Sequence, residues 1–455
     1  MTTMFEGFTG LLLRPGDDGY DEARRVWNGA VDRRPAFVAR CLSTADVVAA
    51  IRFGVRHGLT IAVRGGGHSI PGHSVCEGGL VVDLSPMKSI RVEGRVVQVG
   101  PGVLWRELDA VTEAHGLAVP GGEISDTGVA GLTLGGGIGW LSRKYGLACD
   151  NLVAARVVTA DGTVLDVSED DHADLLWGLR GGGGNFGVVT RFTFRLNPIP
   201  VPLFAGMAMH PLDREPLRAF FDLAAHAPDD LGLNAALITA PPEPFVPAEL
   251  RGRPVVVLAA GYLGPYGEGV ELTRTLREGA HLDTFGALRY TALQSMADAA
   301  TPPGLAAHVR SEWLGPMSGD AVDALVEAAE RMTSPLNQTL VRIMGGAIAR
   351  VPPDSTAFRF REAAAMLTLA ALWSDSSDDG EPHRAWARSA WTALRPWSAG
   401  GAYVNHLDDE GRARVREAYG TETWAKLVDL KTRYDPTNVF HHNNNVPPRR
   451  TQRPE

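Results

Sequence analysis

Apolar residues recur at helical spacing over 43–58, where Val47, Val48, Ile51 and Val55 share a face. Ser43 and Thr44 can cap this helix and Gly58 ends it. A short strand over 60–63 follows and runs into Arg64-Gly65-Gly66-Gly67-His68-Ser69. Then come a strand over 80–84, a hairpin of 90–92 and 96–99, and a helix over 104–115 with Leu104, Leu108 and Val111 inward. A second hairpin, 152–159 with 163–167, is closed by Asp161-Gly162, a helix spans 173–179, and 188–196 alternates as a strand. At Asn197-Pro198-Ile199-Pro200-Val201-Pro202 the pattern breaks into a stiff, extended linker, and a domain boundary falls there. Beyond it, helices over 214–227 and 320–332 alternate with apolar strands near 233–239, 254–262, 338–349 and 364–373, an α+β layering. The tail over 409–431 reads as helix.

A length of 455 residues suits two domains, and 44% hydrophobic residues support a sizeable core. A net charge of −9 argues against nucleic acid or an anionic membrane as partner. The apolar run at 10–13 is too short for a signal h-region, and no window approaches 18 apolar residues, so a cytoplasmic protein is expected. The three cysteines, Cys41, Cys76 and Cys149, show no metal-type spacing, and no metal is expected. Glycine changes the picture most. It numbers 52, above the usual share of about 7%. The glycines cluster at 65–67, 78–79, 121–122, 135–139 and 181–187, mostly beside strands. The front half of the chain looks built to wrap a large ligand with its backbone.

Two nucleotide motifs can be set aside. Gly182-x-Gly184-x-x-Gly187 matches the dinucleotide fingerprint in letters, but a helix precedes it and a strand follows, the reverse of what that motif needs. Gly135-Gly136-Gly137-Ile138-Gly139 lacks the Lys-Ser/Thr of a P-loop. What remains is a nucleotide held by backbone N–H groups of the loops at 64–69, 120–128 and 135–139. His68, in a loop just past a strand, is a candidate nucleophile. On spacing alone, a histidine bonded to a neighbouring turn is the plainer reading.

Taken together, the motifs resemble one family. They are Arg64-Gly65-Gly66-Gly67-His68-Ser69, the segment 134–147 with its glycine run, Asp150-Asn151, the segment 179–187, and Tyr434-Asp435-Pro436-x-Asn438-x-Phe440 with Asn443 and Asn445. This set resembles the berberine bridge enzyme-like FAD-linked oxidases of the vanillyl-alcohol oxidase superfamily, in particular bacterial members acting in secondary metabolism. The resemblance implies an α+β, two-domain, PCMH-type FAD-binding fold whose substrate domain is an antiparallel sheet covered by helices. Its bounds would be 1–200 for the FAD domain (core about 34–199), 201–400 for the substrate domain, and 401–455 for a tail returning to the first. It implies FAD joined covalently to His68 only, because Ile124 stands where many members carry a second, cysteinyl link. Flavin contacts are expected from Arg64, Gly65, Gly66, Gly67, His68, Ser69, Gly121, Asp126, Thr127, Gly128, Gly131, Gly137, Gly139, Gly187, Val189, Tyr403, Asn443 and Asn445. His441 replaces the family's usual Arg after the C-terminal Phe.

Oxidation by a flavin needs a donor carbon near the reactive ring nitrogen and a group to take or orient the departing proton. Tyr403, in a segment resembling the family's Tyr-x-Asn, is the first candidate, with a core tyrosine as the alternative. Arg342 lies within an apolar strand; it either meets a carboxylate or carbonyl of the substrate or sits on a solvated face. Glu312 is a weaker acid–base candidate. Gly122 leaves space for oxygen near the flavin loop. The expected activity is hydride transfer from a small organic or polyketide-type substrate to FAD, with dioxygen reduced to hydrogen peroxide. The alternatives are a flavin-dependent oxygenase or oxidative cyclase on the same scaffold, and a flavin-carrying binding protein without turnover. The partners are the small substrate and oxygen, with the oligomeric state open.

Overall fold

The computed structural model describes residues 5–375 and 377–449. Strands β1 (Leu11–Leu13), β2 (Phe37–Arg40), β3 (Ile61–Arg64) and β4 (Leu80–Asp83) form a sheet in the order β1-β2-β4-β3. β2, β3 and β4 run parallel, and β4 is buried at every position, as a parallel strand covered on both faces must be. The helix Thr44–Arg56 links β2 to β3, and the Ser43 side chain accepts the Asp46 N–H at its start. Val55, expected on the core face, is 45% exposed; it lies with Val48 at the edge of the stripe centred on Val47, Ala50 and Ile51.

Next in the chain come β5 (Ile90–Glu93), β6 (Val96–Val99), β7 (Leu117–Ala118), β8 (Leu152–Val158), β9 (Val164–Ser168), β10 (Val188–Arg195) and β11 (Asn197–Pro198). Five of them make an antiparallel sheet, β5-β6-β10-β8-β9, built over Val97, Trp105, Phe186, Phe192 and Phe194. β7 pairs with β11, so the proline linker is docked at its start rather than free. Helix Trp105–Glu113 buries Trp105 and Leu108 but leaves Val111 38% exposed, contrary to the expected inward face.

The second half is built on one sheet. It comprises β12 (Leu203–Pro211), β13 (Leu231–Thr239), β14 (Pro254–Tyr262), β15 (Leu282–Asp283), β16 (Gly286–Leu288), β17 (Ala306–Leu314), β18 (Gln338–Ile343) and β19 (Ala365–Trp373). The order is β15-β12-β14-β13-β18-β19-β17, with β16 also on β12, and all pairs are antiparallel. Helices Arg214–His226, Gly319–Glu330 and Glu381–Leu394 cover one face through Leu217, Phe220, Leu325 and Trp386. The expected strand over 338–349 stops at Ile343, because Gly345 and Gly346 take φ of 85° and 58° and a helical turn follows. The expected tail helix is two helices, Gly411–Tyr419 and Thr421–Tyr434, broken at Gly420 with φ 71°. Tyr419, Leu427 and Leu430 return to the core of the five-stranded sheet.

The two halves meet where helix Trp105–Glu113 packs on helix Tyr290–Gln294. There the fully buried Asp109 accepts from Gln294 Nε2 at 3.0 Å. Burial pushes its carboxyl up to about 8, so the folded state binds its proton more tightly than an unfolded chain does. The stability tied to this group is full at low pH and declines as pH rises from about 4 through 8. Asp109→Asn is expected to raise the melting temperature relative to wild type at pH 9 and to leave a smaller difference at pH 5. An equal difference at both pH values would show that Asp109 does not titrate in this way.

Candidate active site

The loop leaving β3 crosses the loop at 122–128 backbone to backbone. A Cβ on Gly66 would lie 2.5 Å from the Gly128 nitrogen, so only glycine permits the crossing. The second loop is pinned on both sides. The Trp105 and Arg106 N–H groups of the adjacent helix donate to the Thr127 and Ser125 carbonyls at 3.0 and 2.8 Å, satisfying donors that a helix start leaves free. From the other half of the molecule, Asp298 accepts from the Ser125 N–H at 2.8 Å and its hydroxyl at 2.5 Å.

A cavity of about 1400 Å³ lies between these loops and the open face of the large sheet. Of the expected flavin contacts, Gly65, Gly66, Gly67, His68, Ser69, Thr127, Gly128, Gly131, Gly187, Val189, Tyr403 and Asn443 line it. His68 Nε2 is 2.9 Å from Asp126 Oδ1, and the Trp27 ring stacks on the imidazole at 5.1 Å and 23°. Burial raises the Asp126 carboxyl, but the hydrogen bond with His68 and nearby positive charge, that of Arg106 included, outweigh this and hold it below its ordinary value.

Arg64, Gly121, Asp126, Gly137, Gly139 and Asn445 do not line the cavity. Most of them instead pack behind a wall. The Arg64 guanidinium donates to the Ala23 carbonyl, Gly121 lies against the Trp105 ring, and the Gly137 N–H donates to the Tyr403 hydroxyl at 2.9 Å. Gly139 sits against the Gly121 carbonyl, and Asn445 leaves its Oδ1 buried and unpaired. His441 is exposed and bonds the Asn438 carbonyl. The tail is fastened to the loop at 181–187 by the wholly buried Lys431, which donates to Asp435 and to the Asn185 and Phe440 carbonyls.

The Tyr403 oxygen accepts from the Gly137 N–H and from Asn405 Nδ2, both at 2.9 Å, which leaves its own proton free to be donated. Burial pushes this phenol up to about 12, so it stays protonated at neutral pH. Arg342 is not on a solvated face. Its Nε donates to Glu123 at 2.5 Å and its Nη1 to Thr368 at 3.2 Å, while Asn234 donates to the other Glu123 oxygen at 2.8 Å. Thr368 in turn meets His406 Nδ1 at 3.1 Å, and burial, with Arg342 nearby, holds that imidazole down to about 3 and neutral.

Glu312 must be reassigned. It does not line the cavity; its side chain is 1% exposed and accepts from Arg414 at 2.9 Å, Trp391 at 2.7 Å and Ser398 at 2.5 Å. Arg414 also meets Glu417 at 2.9 Å and Glu410 at 3.7 Å, so removing the Glu312 charge costs less than the roughly 3–5 kcal/mol of stranding a buried partner. Glu312→Gln is therefore expected to lower the denaturation midpoint while flavin content and its rate of reduction stay near wild type. Lost turnover at unchanged stability would return Glu312 to the acid–base candidates.

Sequence reading missed Trp27, Glu123, Asn234, Thr368 and His406. Glu123 and His406 had a local signal, one inside a glycine-rich loop and the other three residues after Tyr403. The others are brought in only by strand and loop packing.

The site fits FAD. The cavity exceeds the roughly 300–1,000 Å³ of an ordinary ligand pocket, one wall is largely glycine backbone, and the Asn443 Oδ1 is buried without a partner. Comparison with known proteins agrees. Residues 35–168 match an FAD binding domain family, and residues 402–447 match the berberine and berberine-like family. The chain is 31% identical to (R)-6-hydroxynicotine oxidase of Paenarthrobacter nicotinovorans, over 96% of this chain and 97% of that one. It is 30% identical to an FAD-linked oxidoreductase of Dictyostelium discoideum, over 97% and 96%. The crystal structure of 6-hydroxy-D-nicotine oxidase from Arthrobacter nicotinovorans superposes with a TM-score of 0.85 at 28% identity, covering 97% of this chain and 98% of that one. With its glycine loops around a dinucleotide-sized cavity and its tail closing on them, the chain belongs to the berberine bridge enzyme-like family of FAD-dependent oxidoreductases.

Proposed function

We propose that this enzyme is an oxidase with FAD tethered through His68 alone, acting on a small alcohol, amine or aromatic polyketide-type substrate and passing the electrons to dioxygen. The observation that carries the reading is His68 itself, set in the cavity wall with one ring nitrogen engaged by Asp126. When bound, FAD supplies the hydride acceptor. The chain supplies the rest. Residues 65–68 and Gly128, Ala130 and Gly131 line the cavity, and such glycine-rich backbone suits an anionic or acceptor-rich ligand. Tyr403 donates its hydroxyl proton to an oxygen or nitrogen of the substrate and so orients the donor carbon. The Glu123–Arg342 pair places a polar group in the substrate wall, where Met207, Val257 and Met366 keep the remainder apolar. A relative named for 6-hydroxynicotine is in keeping with a compact aromatic substrate.

Ile124 offers no thiol, and Cys41, Cys76 and Cys149 are all buried, with burial pushing each thiol up. Mass spectrometry of a tryptic digest is expected to show flavin on one peptide, the one holding His68; flavin on a cysteine peptide would overturn the single link. Turnover is tested by peroxide yield under labelled dioxygen. One peroxide per product, with no label in the product, is the oxidase outcome. Label in the product would make this an oxygenase.

A further inference from the structure

We propose that Asp126 is the positioning residue that makes His68 competent to take up the flavin. The inference rests on attachment through His68 and concerns how this chain brings it about. A carboxylate can only accept, so the 2.9 Å contact places the proton of the neutral imidazole on Nε2 and the lone pair on Nδ1. Nδ1 has no protein partner among the described residues, and His68 is part of the cavity wall. Asp126 is not in that wall. It holds the ring from behind, on a loop pinned by Trp105, Arg106 and Asp298. Trp27 covers one face of the ring. One edge and one face are thus held, and the nucleophilic edge is left to the ligand.

The step balances as follows. The Nδ1 lone pair forms a C–N bond to the carbon of the flavin 8-methyl group. That carbon loses one hydrogen as a proton, and its bonding electron pair stays in the ring system, which is left reduced by two electrons. The Nε2 proton passes to Asp126 and on to solvent, so the linked imidazole is neutral. Dioxygen, the oxidant, takes up two electrons and two protons and leaves as hydrogen peroxide. Without Asp126 the ring loses its preferred tautomer, and its departing proton has no acceptor.

The test uses holoenzyme as purified and after timed incubation with added FAD. Total flavin is read by absorbance, and linked flavin by acid precipitation and fluorescence on a denaturing gel. Asp126→Asn is expected to bind flavin near the wild-type level but to link it at least tenfold more slowly, and Asp126→Glu to regain most of the rate. Wild-type linkage in Asp126→Asn overturns the proposal. If that variant fails to fold, Asp126→Glu and Asp126→Ser decide: linkage in the first and not the second supports the role, and equal linkage in both overturns it. Acid release of flavin from the wild type is a separate result, which would overturn attachment through His68 itself.

Discussion

His68→Ala is expected to give a protein that is yellow as purified and colourless after acid precipitation, with all its flavin in the supernatant. The glycine loops at 65–67 and 128–131 and the tail around Asn443 still form the cavity, so non-covalent binding survives. Only the nucleophile is lost. The side chain of His68 is 19% exposed and pairs with a partly open Asp126, so its removal leaves no fully buried charge, and the melting temperature of the flavin-bound protein should change little. The expected change in acid-stable flavin is from nearly all to none. If His68→Ala still carries linked flavin, another residue is the anchor.

Tyr403→Phe carries the second largest expected effect. The variant deletes one oxygen that accepts from Gly137 and Asn405 and has its own proton to give. At a pKa of about 12 the phenol is no base near neutral pH, so its part is to donate and orient. Removing one well-placed donor at a reacting centre typically costs about 10²–10³-fold. Anaerobic flavin reduction is expected to slow within that range, with the flavin spectrum retained and the rate flat in pH up to about 10 in the wild type. A decrease under about threefold, well short of what a positioned donor or acid–base group supplies, would make Tyr403 a packing residue. Arg342 would then be examined next.

Much of the fold was legible because its signals are local. Helix 173–179 and strand 254–262 match the observed bounds, and the hairpins are found where turn residues separate alternating runs. The elements that escaped lacked such a signal. β12 mixes Gly206 and His210 among small apolar residues, and β17 carries His308, Arg310 and Glu312 on a buried strand. Those polar side chains meet partners about a hundred residues away, Asp408, Glu410 and Arg414. The same long range misled the reading of Glu312, whose partners no window of sequence could reveal.

What the sequence by itself determined is where the backbone can approach a large ligand. Glycine's freedom to bring two chains together, as at Gly66 and Gly128, is a property of the residue and survives any change of surroundings. It also singled out His68, at the end of its glycine run, as the expected anchor once the motifs were taken as a set. The tertiary structure alone decided which polar side chains face the cavity. Asn234 stands opposite Arg342 because β13 and β18 pair in one register, and a slip of one strand by one residue would turn its member of the pair to the other face. Asp126 and Trp27 reach His68 from loops 58 and 41 residues distant in the chain. Such meetings depend on the packing of the whole molecule, which no local periodicity encodes.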